Sequence, residues 1–125
     1  MMATMRWIGP SSPAIRAHAL ATLAGILLRR GEAPAALVKA REAMEILESL
    51  EGVEEGEALI RLVYILALQQ TGNAKEARMR TVEAQRRLRV RSERIIDPKW
   101  KRSFLHNVPE NAATMALPAD EGEEG

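Results

Sequence analysis

The residues whose types could do chemistry are two histidines, a bunch of glutamates and an arginine-rich run. His18 follows Ile15 by one helical turn in an apolar stretch, and no carboxylate is spaced to join it. It therefore meets neither the ligand count of a metal site nor the pairing of an acid–base site. His106 stands near the end of a short predicted helix, where an imidazole interacts with the helix dipole. Glu51, Glu54, Glu55 and Glu57 bunch as a weak cation site would, but without EF-hand spacing, and a solvated turn is the simpler reading. Gly25, Gly52 and Gly56 make no phosphate loop. Ser11, Ser12, Ser92 and Ser103 have no triad partners. The chain has no cysteine, which excludes disulfides and thiolate chemistry. The expectation is a non-enzymatic protein with no catalytic residue, no cofactor and no metal.

Charge carries more information than any of these groups. The total is only +1, but residues 32–57 hold eight acids against Lys39 and Arg41, a local net of −6. Residues 75–102 hold eleven bases against Glu76, Glu83, Glu93 and Asp97, a local net of +7. Arg86, Arg87, Arg91, Arg94, Lys99 and Lys101 make this second stretch a candidate basic surface for nucleic acid or an acidic peptide. The competing reading is that the acidic and basic stretches neutralise one another as neighbours. Nucleic acid is the disfavoured partner, because the basic run lacks the interleaved aromatics that stack on bases.

The elements that would position these groups are helical. With 125 residues the chain is one domain on length, rich in Ala, Leu, Glu and Arg, and holds four aromatic side chains. The most apolar stretch, ALIRLVYILALQQTGN over 58–73, reads as a helix with neighbours on several sides, stopped at Gly72. Ser12-Pro13 reads as a cap and first-turn proline opening a helix over 13–30, with Ile15, Ala19, Leu20, Leu23, Ile26 and Leu27 as its apolar face. Ala17, Ala21, Ala24 and Gly25 fill its other faces with small groups that let another helix approach. Gly31 ends it, and a second helix follows to about Leu50 with a seam of Ala36, Ala40, Ala43, Leu47 and Leu50. Asn73 is the expected cap of a fourth helix, over 74–94, with a seam of Ala77, Thr81, Ala84 and Leu88. Asp97-Pro98 opens a fifth over about 98–108, whose Trp100, Phe104 and Leu105 are expected to cap the array. Pro109 ends it and opens a last turn to Met115. Residues 1–11 have no period and are expected to be a flexible lead, and 119–125 a disordered acidic tail.

A shift of 41 residues lays the first helix pair on the second: Gly31 on Gly72, Ala36 on Ala77, Ala43 on Ala84, Leu27 on Leu68 and Leu47 on Leu88. These are the turn glycine and the small residues where paired helices come closest. With those residues in place, LLRRGEAPAALVKAREAMEIL and ALQQTGNAKEARMRTVEAQRRL resemble tetratricopeptide (TPR) repeats, with Gly at the turn, Ala five residues on and Ala seven beyond. The second unit departs at Ile65, where the first has Ala24. The period resembles the longer, divergent type found toward the C-terminal end of large bacterial signalling proteins, including Ser/Thr kinases and ATP-dependent regulators. The resemblance covers about residues 13–117. It implies an all-α fold of two TPR-like antiparallel helical hairpins, an α-solenoid fragment, over 13–50 and 53–94 within a domain of 12–118, with a C-terminal capping helix.

The resemblance also implies a protein–protein interaction or assembly module that binds on the face lined by the first helix of each unit. The corresponding positions here are His18, Ala21, Gly25, Leu28 and Arg29, then Leu59, Leu62, Leu66, Gln69 and Gln70. The Lys and Asn that clamp a terminal carboxylate in some members are absent. Left in water, Leu59, Leu62 and Leu66 would form a greasy patch that needs covering. The expected partner-binding groove is His18, Leu28, Leu59, Leu62, Leu66, Gln69 and Gln70, with a partner helix or a second copy as occupant. The open face of the first helix is likewise expected to be closed by a second copy. No apolar run approaches the roughly 20 residues that span a bilayer, and no signal peptide is evident, so a cytoplasmic protein is expected.

Overall fold

The computed structural model describes residues 12–50 and 56–119. They form six helices and no strand: α1 (Pro13–Arg29), α2 (Ala33–Ser49), α3 (Glu57–Gln70), α4 (Ala74–Ser92), α5 (Pro98–His106) and α6 (Pro109–Met115). The fold is all-α. The expected lead over 1–11, the turn acids Glu51, Glu54 and Glu55, and the tail from 120 onward lie outside the described residues.

Helix starts follow proline and cap chemistry. Ser12 accepts a bond from the Ile15 amide at 3.5 Å, and Asp97 accepts from the Lys99 amide at 2.8 Å. Asn73 sits at the cap position of α4 but does not cap it; its side-chain amide donates to the Thr71 hydroxyl at 2.8 Å. The stops of α1 and α3 share one geometry. The Glu32 amide donates to Leu27 O at 2.8 Å and the Gly31 amide to Leu28 O at 3.1 Å. In the second turn the Asn73 amide donates to Leu68 O at 2.8 Å and the Gly72 amide to Gln69 O at 3.3 Å. This closure needs a left-handed residue, supplied by Gly31 at φ +78° and Gly72 at φ +83°.

The core sits around α3, which touches α1, α2, α4 and α6. Nine of its fourteen residues are buried, including Ile60, Ile65 and Leu68. A helix with neighbours on most sides must be apolar nearly all round, which is the pattern of this stretch. Alanines make the close approaches: Ala36, Ala40 and Ala43 of α2 are fully buried, as are Ala21 and Ala24 of α1, with Ala77 and Ala84 of α4 nearly so.

Packing decides which side of α1 is buried and what forms the C-terminal cap. The buried face of α1 is the small one, Ala17, Ala21 and Ala24, whereas Ile15, Leu23 and Ile26 are 50%, 39% and 40% exposed. Both α2 and α3 pack on α1, and they approach along the side where the side chains are shortest. The expected cap, α5, packs on α4 with Phe104 and Leu105 half-buried, and shares that role with α6. No residue of α5 is fully buried and Trp100 is 62% exposed. Helix α6 covers α3 and α4, through buried Asn111 and Thr114. The Gln85 amide of α4 pins it by donating to Thr114 O and Leu117 O, each at 3.0 Å. A single amide reaching two carbonyls fixes the chain where α6 ends.

Candidate functional site

Helices α1 and α3 run beside each other and leave a groove of ≈ 610 Å³ between them. From α1 it is lined by Ala21, Thr22, Gly25, Leu28 and Arg29. From α3 it is lined by Leu59, Leu62, Val63, Leu66 and Gln70. Of the groove residues expected from sequence, Leu28, Leu59, Leu62, Leu66 and Gln70 come together here; His18 and Gln69 are not among the lining side chains. His18 lies instead against Gly56, where a Cβ would come within 3.1 Å of its ring. Thr22 and Val63 line the groove without having been singled out, although Val63 falls one turn from Leu59 and from Leu66.

The groove is less greasy at its centre than expected. Leu62 is only 9% exposed, because α1 packs against α3 beside it; Leu59, Leu66 and Leu28 are half-buried. The open apolar edge is therefore formed by two leucines of α3 facing one of α1, above a floor of Ala21, Gly25 and Val63. The polar side chains lining it are Thr22, Arg29 and Gln70.

The charged residues form a separate arrangement. Glu57, 3% exposed, accepts from Arg61 Nε at 2.9 Å and, on the same Oε2, from Arg87 Nε. Arg61 also meets Glu83 at 3.4 Å. Arg80 of α4 reaches Glu48 of α2 at 3.0 Å and lies over the ring of Tyr64, whose hydroxyl donates to Glu76 at 2.8 Å. Acidic α2 and basic α4 thus meet directly at one pair, and most of the bridging runs through α3. Of the expected basic surface, Arg87 is engaged by Glu57 and Arg91 lies 5.2 Å over the Phe104 ring; Arg86 and Lys99 are exposed, Arg94 is exposed but engaged, and Lys101 is half-buried. Glu57 was grouped with the turn acids from sequence; its i,i+4 spacing to Arg61 was the available sign of a helical ion pair. Among the described residues no group of three His, Cys, Asp or Glu could hold a metal ion.

Burial by itself would raise the pKa of Glu57, but the hydrogen bonds and charges of Arg87 and Arg61 outweigh it and hold the carboxyl below its ordinary 4.5. A folded-state pKa below the unfolded one adds stability that is fully present above pH 4.5 and is lost as pH falls through the folded value. Thermal melting between pH 3 and pH 7 should show a plateau above about 5 and a decline below about 4.5. A decline centred near neutrality would mean that another group dominates.

No helix among the described residues is long and apolar enough to cross a membrane. No family model, curated protein or solved structure matches this chain.

Proposed function

We propose that this chain is a non-catalytic protein–protein interaction module of tetratricopeptide-like type, and that the α1/α3 groove binds an amphipathic helix of a partner protein. The repeated Gly31 and Gly72 turn closures and the matched alanines at 36 and 77, 43 and 84 support the repeat reading. The observation that carries the function is the groove itself: ≈ 610 Å³, with half-buried leucines on two facing helices and an alanine–glycine floor. A helix inserts side chains spaced i, i+3, i+4 and i+7 into such a cleft. At 1.5 Å per residue α1 is about 25 Å long, enough to seat roughly four turns of a partner.

Selection from a displayed library of helical peptides tests this. Wild-type protein should enrich sequences with an apolar seam at helical spacing. Those peptides should bind the Leu66→Asp variant at least about tenfold more weakly, since Leu66 is half-buried and a charge there must be desolvated. Arg86→Glu with Lys99→Glu, on the basic α4–α5 side, should leave binding unchanged. Circular dichroism checks that each variant folds. Enrichment of no helical motif, or equal binding to Leu66→Asp, would remove the groove as the site. A dimer in sedimentation that Leu66→Asp dissociates would make the occupant a second copy.

A further inference from the structure

The two helices that wall the groove are electrically one-sided. Between Pro13 and Arg29 there is no acidic residue. Between Glu57 and Gln70 the only acid is Glu57, buried and matched by Arg61 and Arg87. Arg61 is itself buried against Glu57 and Glu83. The exposed ionisable side chains on these walls are therefore Arg16, His18 and Arg29, all of them basic or neutral, and Arg29 lines the groove. Arg30, just beyond, meets Glu32 at 3.6 Å on the turn side. Glu110, at the start of α6, is half-buried and is not among the lining residues.

Gly25 is the second observation. It sits inside α1, where glycine is destabilising relative to alanine. Its backbone is not left-handed, and a Cβ would meet Val63 Cγ1 at 3.8 Å and Arg29 Nη1 at 4.0 Å, both ordinary contacts. The fold thus has room for alanine at this position. Gly25 lines the groove one turn from Arg29, so the missing Cβ leaves that part of the lining without a side chain.

We infer that the groove receives an acidic amphipathic helix, its apolar seam seated between Leu28 and the Leu59–Leu66 edge, its backbone passing closest at Gly25, and a carboxylate reaching Arg29. The inference rests on the reading of the groove as a helix site and adds the chemistry of the occupant. Among the described residues Arg29 is the one charged side chain that lines the groove, so acidic flanks would meet a base there, and basic flanks would meet Arg29 with no lining acid to balance it. Pairing of α1 with the α1 of a second copy is the weaker fit by charge, because α1 brings arginines and no acid to it.

The test uses two synthetic helical peptides with one Leu/Phe seam, flanked by Glu in one and by Lys in the other, titrated against the full chain by fluorescence anisotropy. The Glu peptide should bind about tenfold tighter at low salt, and the ratio should shrink as salt rises. Arg29→Glu should bring the two affinities to within about twofold, and Gly25→Ala should melt higher than wild type yet bind the Glu peptide more weakly. Equal binding of the two peptides to wild type, or a preference that survives Arg29→Glu, overturns the acidic specificity and leaves the groove reading standing. Unchanged binding to Gly25→Ala overturns the crossing point. Binding of neither peptide to folded protein fails both the inference and the groove reading. A dimer broken by Leu66→Asp and untouched by Arg29→Glu assigns the groove to a second copy and overturns the acidic partner.

Discussion

Replacing Ile65 with alanine is expected to lower the unfolding free energy by about 3 kcal/mol, within the range for large-to-small changes at fully buried aliphatic positions. Ile65 is 0% exposed and lies mid-way along α3, the helix that touches α1, α2, α4 and α6. The first repeat carries Ala24 at the equivalent place, also 0% exposed, so the two units fill the same position with different volumes. The carbons removed from Ile65 leave a void in the packed interior around α3, a helix held by neighbours on several sides. Collapse should therefore be poor and the cost should lie above the bare transfer term. In a domain whose total stability is on the order of 5–15 kcal/mol, that loss is a large share. Leu23→Ala is the internal contrast: Leu23 is 39% exposed, and its truncation should cost well under about 1 kcal/mol. Urea denaturation of both variants, with the slope checked against wild type, measures the difference. Similar losses for the two would mean that α3 is not the centre of the core.

Ile65 also marks the limit of what the repeat pattern conveys. Helix positions and types were legible, because glycine stops, caps and prolines are local signals and the α2 and α4 seams keep a steady helical spacing. All-α architecture followed from them. On α1 the small residues expected to let another helix approach, Ala17, Ala21 and Ala24, are the buried ones. The large residues Ile15, Leu23 and Ile26 give the stronger apolar stripe, yet the alanine side is buried, since α2 and α3 both press on one helix and short side chains allow them nearer. Bulk alone does not say which side of a crowded helix is inside. The share of α6 in the cap depends on Gln85 finding carbonyls 29 and 32 residues away, a pairing with no local sign. The groove positions came from the resemblance to TPR repeats, and the structure brings Leu28, Leu59, Leu62, Leu66 and Gln70 of them together. How far α1 covers Leu62 depends on the distance between the helices, which no spacing along the chain encodes.

The buried charges supply the other large effect. Glu57→Ala is expected to cost about 3–5 kcal/mol, the range for removing one partner of a buried pair, because it strands the largely buried Arg61 guanidinium. The two arginines should not share that cost equally. The Arg87 side chain is 43% exposed and can turn to water once its partner is gone. That of Arg61 is 10% exposed and would be left with Glu83 at 3.4 Å as its remaining carboxylate. Most of the loss therefore belongs to Arg61. Arg87→Ala should cost less, on the order of 1–2 kcal/mol, since Glu57 keeps the 2.9 Å bond from Arg61. Replacing both inner partners, as Glu57→Leu with Arg61→Met, should recover most of the stability, because well-packed apolar groups of similar volume commonly equal or exceed a buried pair. A double-mutant cycle on Glu57 and Arg61 should accordingly give a coupling of about 2 kcal/mol or more. The same double variant should lose the part of the acid-side decline that comes from Glu57, since no depressed carboxyl remains at this place to be protonated. A Glu57→Ala loss below about 1 kcal/mol would place the pair among solvent-screened contacts, at odds with its burial.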